Sequence, residues 1–213
     1  LHVVCRRQRQ MCIRDSQDII ELVSSCSEKI ATLIVPMVNT PNDLIFVETL
    51  IKQLAIRNSS AAEIGIEGLI ETVEGLSNVD KIAQSSEKLE ALVLGMGDYA
   101  ASQRMRINTI GDVSSEAGDI WQYPRYRLIV ACHANGINPI DGPYADVKDI
   151  SGLKQDSKKT SLIGMMGKWA IHPDQVTPIT EAFTPGKDVI WTARKQKTAY
   201  EKGLSEGLGS VSV

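Results

Sequence analysis

The chain has 213 residues, of which 43% are hydrophobic and 23% are charged, and its formal net charge is −3. This composition is typical of a globular protein with a substantial core, and it excludes both a disordered chain and an overall basic field for nucleic acid. No apolar run reaches the roughly eighteen residues needed to cross a bilayer. The four cysteines lack metal-ligand spacing, which favours a reducing setting without disulfides or zinc. We therefore expect a cytoplasmic protein that binds neither nucleic acid nor a membrane.

The first sixteen residues, LHVVCRRQRQMCIRDS, differ in character from the rest of the chain. They contain four arginines and two cysteines, and they have no clear helical or strand period. Transit peptides are also rich in arginine, but this segment lacks their amphipathic, serine-rich pattern. We predict that residues 1–16 are a non-native leader and exclude them from the fold.

From residue 17 onward, short apolar strands alternate with amphipathic helices. The helix over 41–57 is expected to bury Leu44, Ile45, Val47, Leu50, Ile51 and Leu54, and the next helix is expected to start with Ser77 as its N-cap. This alternation predicts a parallel sheet with crossover helices. The predicted strands cover 31–38, 64–71, 91–95, 136–141 and 167–171, and the predicted helices cover 18–29, 41–57, 77–86, 124–135, a stretch from 149, and 186–203.

The ends of these strands carry acidic residues and a histidine. In parallel α/β folds, the residues that follow the carboxyl ends of the strands carry the chemistry. Glu71 ends one predicted strand, Asp98 follows the next, Asp141 the third, and His172 the last. Because neighbouring strands lie about 4.8 Å apart, we expect Glu71 and Asp98 to converge.

Two converging carboxylates repel each other unless they share a proton or a cation. Mg²⁺ accepts one or two protein carboxylates and fills its remaining positions with water and substrate oxygens. Gly95 and Gly97, on either side of Met96, are expected to let the backbone turn sharply beside Asp98. The alternative is that Glu71 and Asp98 are ordinary capping or solvated acids, and spacing alone leaves both interpretations open.

Three stretches carry a resemblance to a known family: IGIEGLIETVEGLSNVDKIAQSSEKLEALVLGMGDYAAS, GINPIDGPYADVKD and GKWAIHPDQV. They resemble the malyl-CoA lyase branch of the citrate lyase β-subunit family, in the HpcH/HpaI aldolase superfamily of (β/α)₈ barrels. The resemblance extends over residues 17–213. It implies an α/β fold that contains a partial (β/α)₈ TIM barrel over 17–185, corresponding to about strands 4 to 8, followed over 186–213 by the start of a C-terminal lid and oligomerisation segment.

The resemblance also implies an activity and a set of site residues. The activity is a Mg²⁺-dependent, reversible aldol-type cleavage of a 3-hydroxyacyl-CoA, such as malyl-CoA, β-methylmalyl-CoA or citramalyl-CoA. Mn²⁺ could replace Mg²⁺, since both accept oxygen ligands. Acyl-CoA and a small 2-oxo acid would be the substrates, and the protein would be a homo-oligomer, a trimer or hexamer. Glu71 and Asp98 would be the catalytic metal ligands, and the substrate would be bound by Met96, Gly97, Asp98, Asp141 and His172.

The sequence departs from the family pattern in several places. The acidic motif and the arginine of the family's early strands do not occur, and neither does the aspartate of its C-terminal lid. We therefore expect a fragment truncated at both ends that is not fully active. Met37 also stands where many relatives have lysine. Two alternatives remain open: a malyl-CoA thioesterase, which would hydrolyse the thioester, and a non-catalytic subunit that binds CoA esters. For His172, capping of the following helix is an equal alternative.

Overall fold

The computed structural model describes residues 3–4, 13–26, 29–58, 64–107, 110 and 118–207. Strands alternate with helices along nearly all of this chain. The elements are β1 (Val3–Val4), α1 (Ile13–Cys26), β2 (Thr32–Val35), α2 (Pro41–Arg57), β3 (Gly65–Ile70), α3 (Val73–Ser77), α4 (Val79–Ile82), β4 (Leu89–Leu94), α5 (Met96–Ser102), α6 (Gln122–Ala134), β5 (Asn138–Asp141), α7 (Ile150–Ile163), β6 (Gly167–Lys168), α8 (Pro173–Phe183) and α9 (Lys187–Ser205).

The strands form one parallel sheet in the order β1-β2-β3-β4-β5-β6. Each strand therefore pairs with the strand that precedes it in the sequence, through a connection that contains at least one helix. This is the arrangement of consecutive units in a (β/α) barrel wall. The predicted parallel sheet with crossover helices is confirmed, and the carboxyl ends of all the strands meet at one edge.

The two faces of the sheet have different partners. Ile66, Ile70, Leu92 and Leu94 belong to the main hydrophobic core, together with residues of the surrounding helices. The alternate residues Ile34, Leu69 and Val93 are buried on the other face and lie outside that core cluster. Leu69 and Val93 are directly paired in register. Because side chains alternate along a strand, the residue after Ile70 faces the same side as Leu69.

Helix α2 begins and ends where the sequence predicted. Its first turn is held by the carboxylate of Asp43, which accepts hydrogen bonds from the backbone N–H groups of Asn39 and Thr40 at 2.9 and 2.7 Å. Pro41 occupies the first turn, where its missing N–H costs nothing. The predicted burial of Ile45 is wrong, since 44% of this residue is exposed. The buried positions are Leu44, Val47, Glu48, Ile51 and Leu54.

The segment between β3 and β4 differs from the prediction. It forms two short helices, α3 and α4, in place of one helix over 77–86. Ser77 is the last residue of α3 and not an N-cap, so that prediction is wrong. The N-cap of α3 is Thr72, whose hydroxyl accepts the N–H of Gly75 at 2.9 Å. Thr72 follows Glu71 directly, so the cap also fixes the backbone beside this carboxylate.

Part of the predicted leader takes part in the fold. Val3 and Val4 pair with Leu33 and Ile34, and α1 begins at Ile13. Excluding the whole of 1–16 from the fold was therefore wrong for these positions. The non-native origin of the segment remains a prediction.

The C-terminal helix α9 is almost entirely exposed. Its hydrophobic residues Val189 and Ile190 are 63% and 37% exposed. Gly203 is its buried residue, and Lys195 lies 5.7 Å from the ring centre of Trp191. None of the helices in the described ranges combines the length and the apolar character that crossing a bilayer requires.

Candidate functional site

Glu71 is held at the carboxyl edge of the sheet by the loop that follows β2. It comes directly after β3 and is only 6% exposed. The backbone N–H of Met37 donates a hydrogen bond to Glu71 Oε1 at 2.8 Å. Met37 has a φ of 54°, a left-handed conformation that costs a residue with a side chain roughly 1–2 kcal/mol. Such strained residues cluster at functional sites.

Gly95 provides the space that the Glu71 side chain occupies. A Cβ atom at this position would lie 2.4 Å from Glu71 Cβ and 2.8 Å from Glu71 Oε2. The φ of Gly95 is −84°, a value that any residue can adopt. Gly95 is therefore required because a side chain would clash with Glu71, whereas the turn that it makes between β4 and α5 does not need the conformational freedom of glycine.

Asp98 lies in the first turn of α5, and its side chain is within hydrogen-bonding reach of the Glu71 carboxylate. The strand order thus brings together the two acids that the sequence singled out. The pKa of Glu71 is raised to about 7, chiefly by burial and also by the neighbouring Asp98, while the hydrogen bond from the Met37 N–H acts in the opposite direction. A carboxyl group in this position holds a proton near neutral pH unless a cation replaces it.

This pair of carboxylates matches the ligand preference of Mg²⁺. Within the described residues, no group of three or more His, Cys, Asp or Glu side chains could hold a metal ion. A zinc site commonly needs three or four such ligands. Mg²⁺ needs only one or two carboxylates and keeps several waters. Glu71 and Asp98 could therefore hold Mg²⁺ or Mn²⁺ with other ligands supplied by water and substrate.

Met96 and Gly97 complete the turn between β4 and Asp98. Met96 is 0% exposed, so its side chain does not reach a substrate directly, and the prediction of substrate contact is corrected for it. Gly97 is half-buried. As the first residues of α5, Met96, Gly97 and Asp98 have backbone N–H groups without partners inside the helix. Binding of a substrate carboxylate by Gly97 and Asp98 stays a prediction.

Asp141 ends β5 in a buried ion cluster. One of its oxygens accepts a hydrogen bond from Arg125 Nε at 3.0 Å, and the other accepts bonds from Arg125 Nη2 at 3.0 Å and Lys168 Nζ at 2.6 Å. Burial alone would raise the pKa of Asp141, but Lys168 and Arg125 together hold it below the ordinary value. Because the side chain is 0% exposed, the prediction that Asp141 contacts substrate is corrected to a structural role.

His172 is the N-cap of α8. Its Nδ1 atom accepts a hydrogen bond from the backbone N–H of Asp174 at 3.2 Å. The imidazole is 45% exposed. Capping was one of the two interpretations left open by the sequence, and the structure supports it. A contact between His172 and substrate stays a prediction.

A sequence profile described as HpcH/HpaI aldolase/citrate lyase matches residues 12–173. The chain belongs to this family. It is 34% identical over 205 residues to the L-malyl-CoA/beta-methylmalyl-CoA lyase of Rhodobacter capsulatus, a match that covers 92% of the chain and 64% of that protein. The chain therefore spans somewhat less than two thirds of the length of this curated relative.

Solved structures support the barrel-type fold of this HpcH/HpaI family member. A citrate lyase from Burkholderia xenovorans superposes with a TM-score of 0.77 at 22% identity, covering 91% of this chain and 61% of that one. A citrate lyase beta subunit from M. tuberculosis, solved with oxaloacetate and magnesium, gives a TM-score of 0.64 at 18% identity and covers 82% and 69%. The predicted α/β fold with a partial TIM barrel is confirmed.

Sequence reasoning missed the residues that connect the loops around Glu71. The Thr72 hydroxyl donates to the side-chain oxygen of Asn39, and Asn78 Nδ2 donates to the Asn39 backbone oxygen at 2.9 Å. Together with the Met37 N–H, these bonds fasten the loop after β2 to the segment after β3. A threonine or asparagine just after a strand is a typical capping signal, which could have identified Thr72. The backbone donor of Met37 has no signal in the sequence.

Proposed function

We propose that the protein is a Mg²⁺-dependent carbon–carbon lyase that acts on a 3-hydroxyacyl-CoA. The observation that carries this proposal is the pair of Glu71 and Asp98, two acids that interact with each other at the carboxyl edge of a parallel sheet. The substrate would be malyl-CoA, giving acetyl-CoA and glyoxylate, or a methylated analogue such as β-methylmalyl-CoA or citramalyl-CoA. The named activity of the R. capsulatus relative and the magnesium in the M. tuberculosis neighbour support it.

Glu71 and Asp98 would hold the ion, either Mg²⁺ or Mn²⁺. When bound, such an ion acts as a Lewis acid toward a hydroxyl or keto oxygen of the substrate. Glu71 must release its proton for this, which the pKa of about 7 allows near neutral pH. The Met37 N–H holds one oxygen of Glu71, and Gly95 leaves room for the other. The carboxylate is therefore oriented before any ligand arrives, which lowers the cost of binding.

The remaining contacts that we propose involve the backbone of Gly97 and Asp98 in the first turn of α5. Cleavage of malyl-CoA breaks the bond between C2 and C3 of the acyl chain. The hydroxyl on C3 loses its proton, and the bonding pair passes to the thioester as an enolate, which is then protonated to acetyl-CoA. The carboxylate of the released glyoxylate carries a negative charge throughout. The backbone N–H groups of Gly97 and Asp98, which have no partner within the helix, are suited to donate hydrogen bonds to that carboxylate.

The first experiment is to incubate the complete gene product with malyl-CoA and Mg²⁺ and to trap glyoxylate as its phenylhydrazone. We expect glyoxylate to form and its formation to collapse with EDTA, Glu71→Ala or Asp98→Ala. Glu181→Ala removes an exposed carboxylate on α8 and serves as the matched control, which should retain the wild-type rate. Failure of the two site variants to differ from this control would disprove the role of the pair.

The products separate the lyase from its alternatives. Free malate and CoA would indicate a thioesterase, since that reaction breaks the thioester and leaves the carbon skeleton intact. Binding of CoA esters without turnover would indicate a non-catalytic subunit. We also propose a homo-oligomer, a trimer or hexamer, which light scattering coupled to gel filtration tests directly. The cytoplasmic location stays a prediction.

A further inference from the structure

Four charged side chains form a buried cluster beneath the loop that follows β5. Arg125 on α6, Asp141 on β5, Asp156 on α7 and Lys168 on β6 all have side chains with 0% exposure. Asp156 bonds Arg125 Nη2 at 3.0 and 3.1 Å and Lys168 Nζ at 2.8 Å, so each carboxylate contacts both cations. Two positive and two negative charges balance, as burial requires. The cluster fixes the end of β5 to two helices and a neighbouring strand.

Gly142, the residue after Asp141, connects this cluster to the turn that carries Asp98. A Cβ atom on Gly142 would lie 2.4 Å from the backbone oxygen of Leu94 and 2.7 Å from Met96 Cγ. Leu94 ends β4, and Met96 is the fully buried first residue of α5. Asp98 follows two residues later. The backbone at Gly142 is therefore in close contact with both ends of the turn from which Asp98 projects.

We propose that the cluster and Gly142 are positioning elements that set the place of Asp98 relative to Glu71. Asp141 joins the two parts, since its side chain belongs to the cluster and its backbone leads into Gly142. Well-packed hydrophobic residues often replace buried ion pairs without loss of stability, so stability alone does not account for four buried charges. The ion pairs of the cluster do, by contrast, hold the chain segments that carry them in fixed positions relative to one another. That Asp98 and Glu71 are thereby spaced to bind a metal ion rests on the proposed function. That the cluster and Gly142 set the position of Asp98 does not.

Two variants test this proposal, each with a matched control. Gly142→Ala introduces the clash with Leu94 and Met96, and Gly186→Ala is its control because nothing lies within 4 Å of a Cβ there. Lys168→Met removes one buried cation, and Lys158→Met removes an exposed lysine of α7. The first readout is hydrogen–deuterium exchange of a peptide covering 94–102, compared with one covering 65–70, in the absence of metal. The second is Mn²⁺ affinity, measured by electron paramagnetic resonance with Mn²⁺ as the sole ligand.

We expect Gly142→Ala and Lys168→Met to increase exchange in 94–102 while 65–70 keeps the wild-type rate, and to weaken Mn²⁺ binding at least about tenfold. Both controls should match wild type. An equal rise in both peptides would mean a general loss of stability and would overturn the proposal, as would wild-type exchange in 94–102. If Lys168→Met does not fold, Gly142→Ala decides the matter alone. If wild type fails to bind Mn²⁺, the proposed metal site fails, and the exchange data still decide the positioning role.

Discussion

Replacing Glu71 by glutamine separates the effect of the buried carboxylate on folding stability from its proposed role in metal binding. Glutamine has nearly the same shape and can still accept the Met37 N–H, but it carries no charge beside Asp98. The variant should therefore fold as wild type does and be more stable than wild type at pH 8 in the absence of metal. It should also lose its affinity for Mg²⁺ and Mn²⁺, because one of the two proposed ligands becomes neutral.

The magnitude follows from the pKa of Glu71, which rises from 4.5 to about 7 on folding. Between these values the folded protein binds a proton that the unfolded chain has released, so stability is lost as the pH rises toward 7. At about 1.4 kcal/mol for each pKa unit, the full loss is about 3 kcal/mol. We expect Glu71→Gln to gain roughly 1–3 kcal/mol over wild type at pH 8 and close to nothing at pH 4.5.

Urea unfolding of both proteins in EDTA at pH 4.5 and pH 8 measures this difference. Saturating Mg²⁺ gives an independent check, since a ligand at a hundred times its Kd adds about 2.7 kcal/mol to the stability of a protein that binds it. Mg²⁺ should stabilise wild type and leave the variant unchanged. Equal gains at the two pH values, or no gain at pH 8, would refute the argument that Glu71 is buried next to Asp98 at an energetic cost.

Three further predictions concern the same region and the nearby core. Gly95→Ala should place its Cβ against Glu71, and should therefore lower the free energy of unfolding in urea by about 1–3 kcal/mol and weaken Mn²⁺ binding. Wild-type Mn²⁺ affinity in this variant would contradict the steric role of Gly95. The apparent Mn²⁺ affinity should rise by up to about tenfold per pH unit below pH 7 and level off above it, because the ion displaces the Glu71 proton; titrations that give one affinity from pH 5.5 to 8 would exclude this. Burial raises the pKa of Cys132 to about 12, so iodoacetamide should label it far more slowly than the exposed Cys26, and mass spectrometry showing equal labelling would contradict its burial.

Several features could be read from the sequence because they depend on local pattern. Helix α2 was predicted with correct ends, since Pro41 and Arg57 bound a stretch with a clear 3.6-residue period. The parallel sheet followed from the alternation of strands and helices. Glu71 and Asp98 were found because each comes at the end of a strand, and consecutive parallel strands are neighbours. These inferences need only the period of the side chains and the order of the strands.

Predictions of side-chain contact were less successful, for an identifiable reason. The family resemblance implied that Met96 and Asp141, which lie at the ends of strands, bind substrate, yet both are fully buried. A position after a strand tells which edge of the sheet a residue occupies, but it does not tell whether its side chain points outward or inward. Arg125, Asp156 and Lys168, which hold Asp141, come from two helices and a strand that are far apart in the sequence.

The sequence by itself determined the fold class, the order of the strands and the two acids at their ends, because these depend on hydrophobic periodicity and on chain connectivity. Only the tertiary structure decided how these acids are held. Folding brings together the segments that produce three features: the left-handed backbone of Met37, the space beside Gly95 that Glu71 fills, and the contact of Gly142 with Met96. Such contacts join residues distant in the chain, and no local period records them.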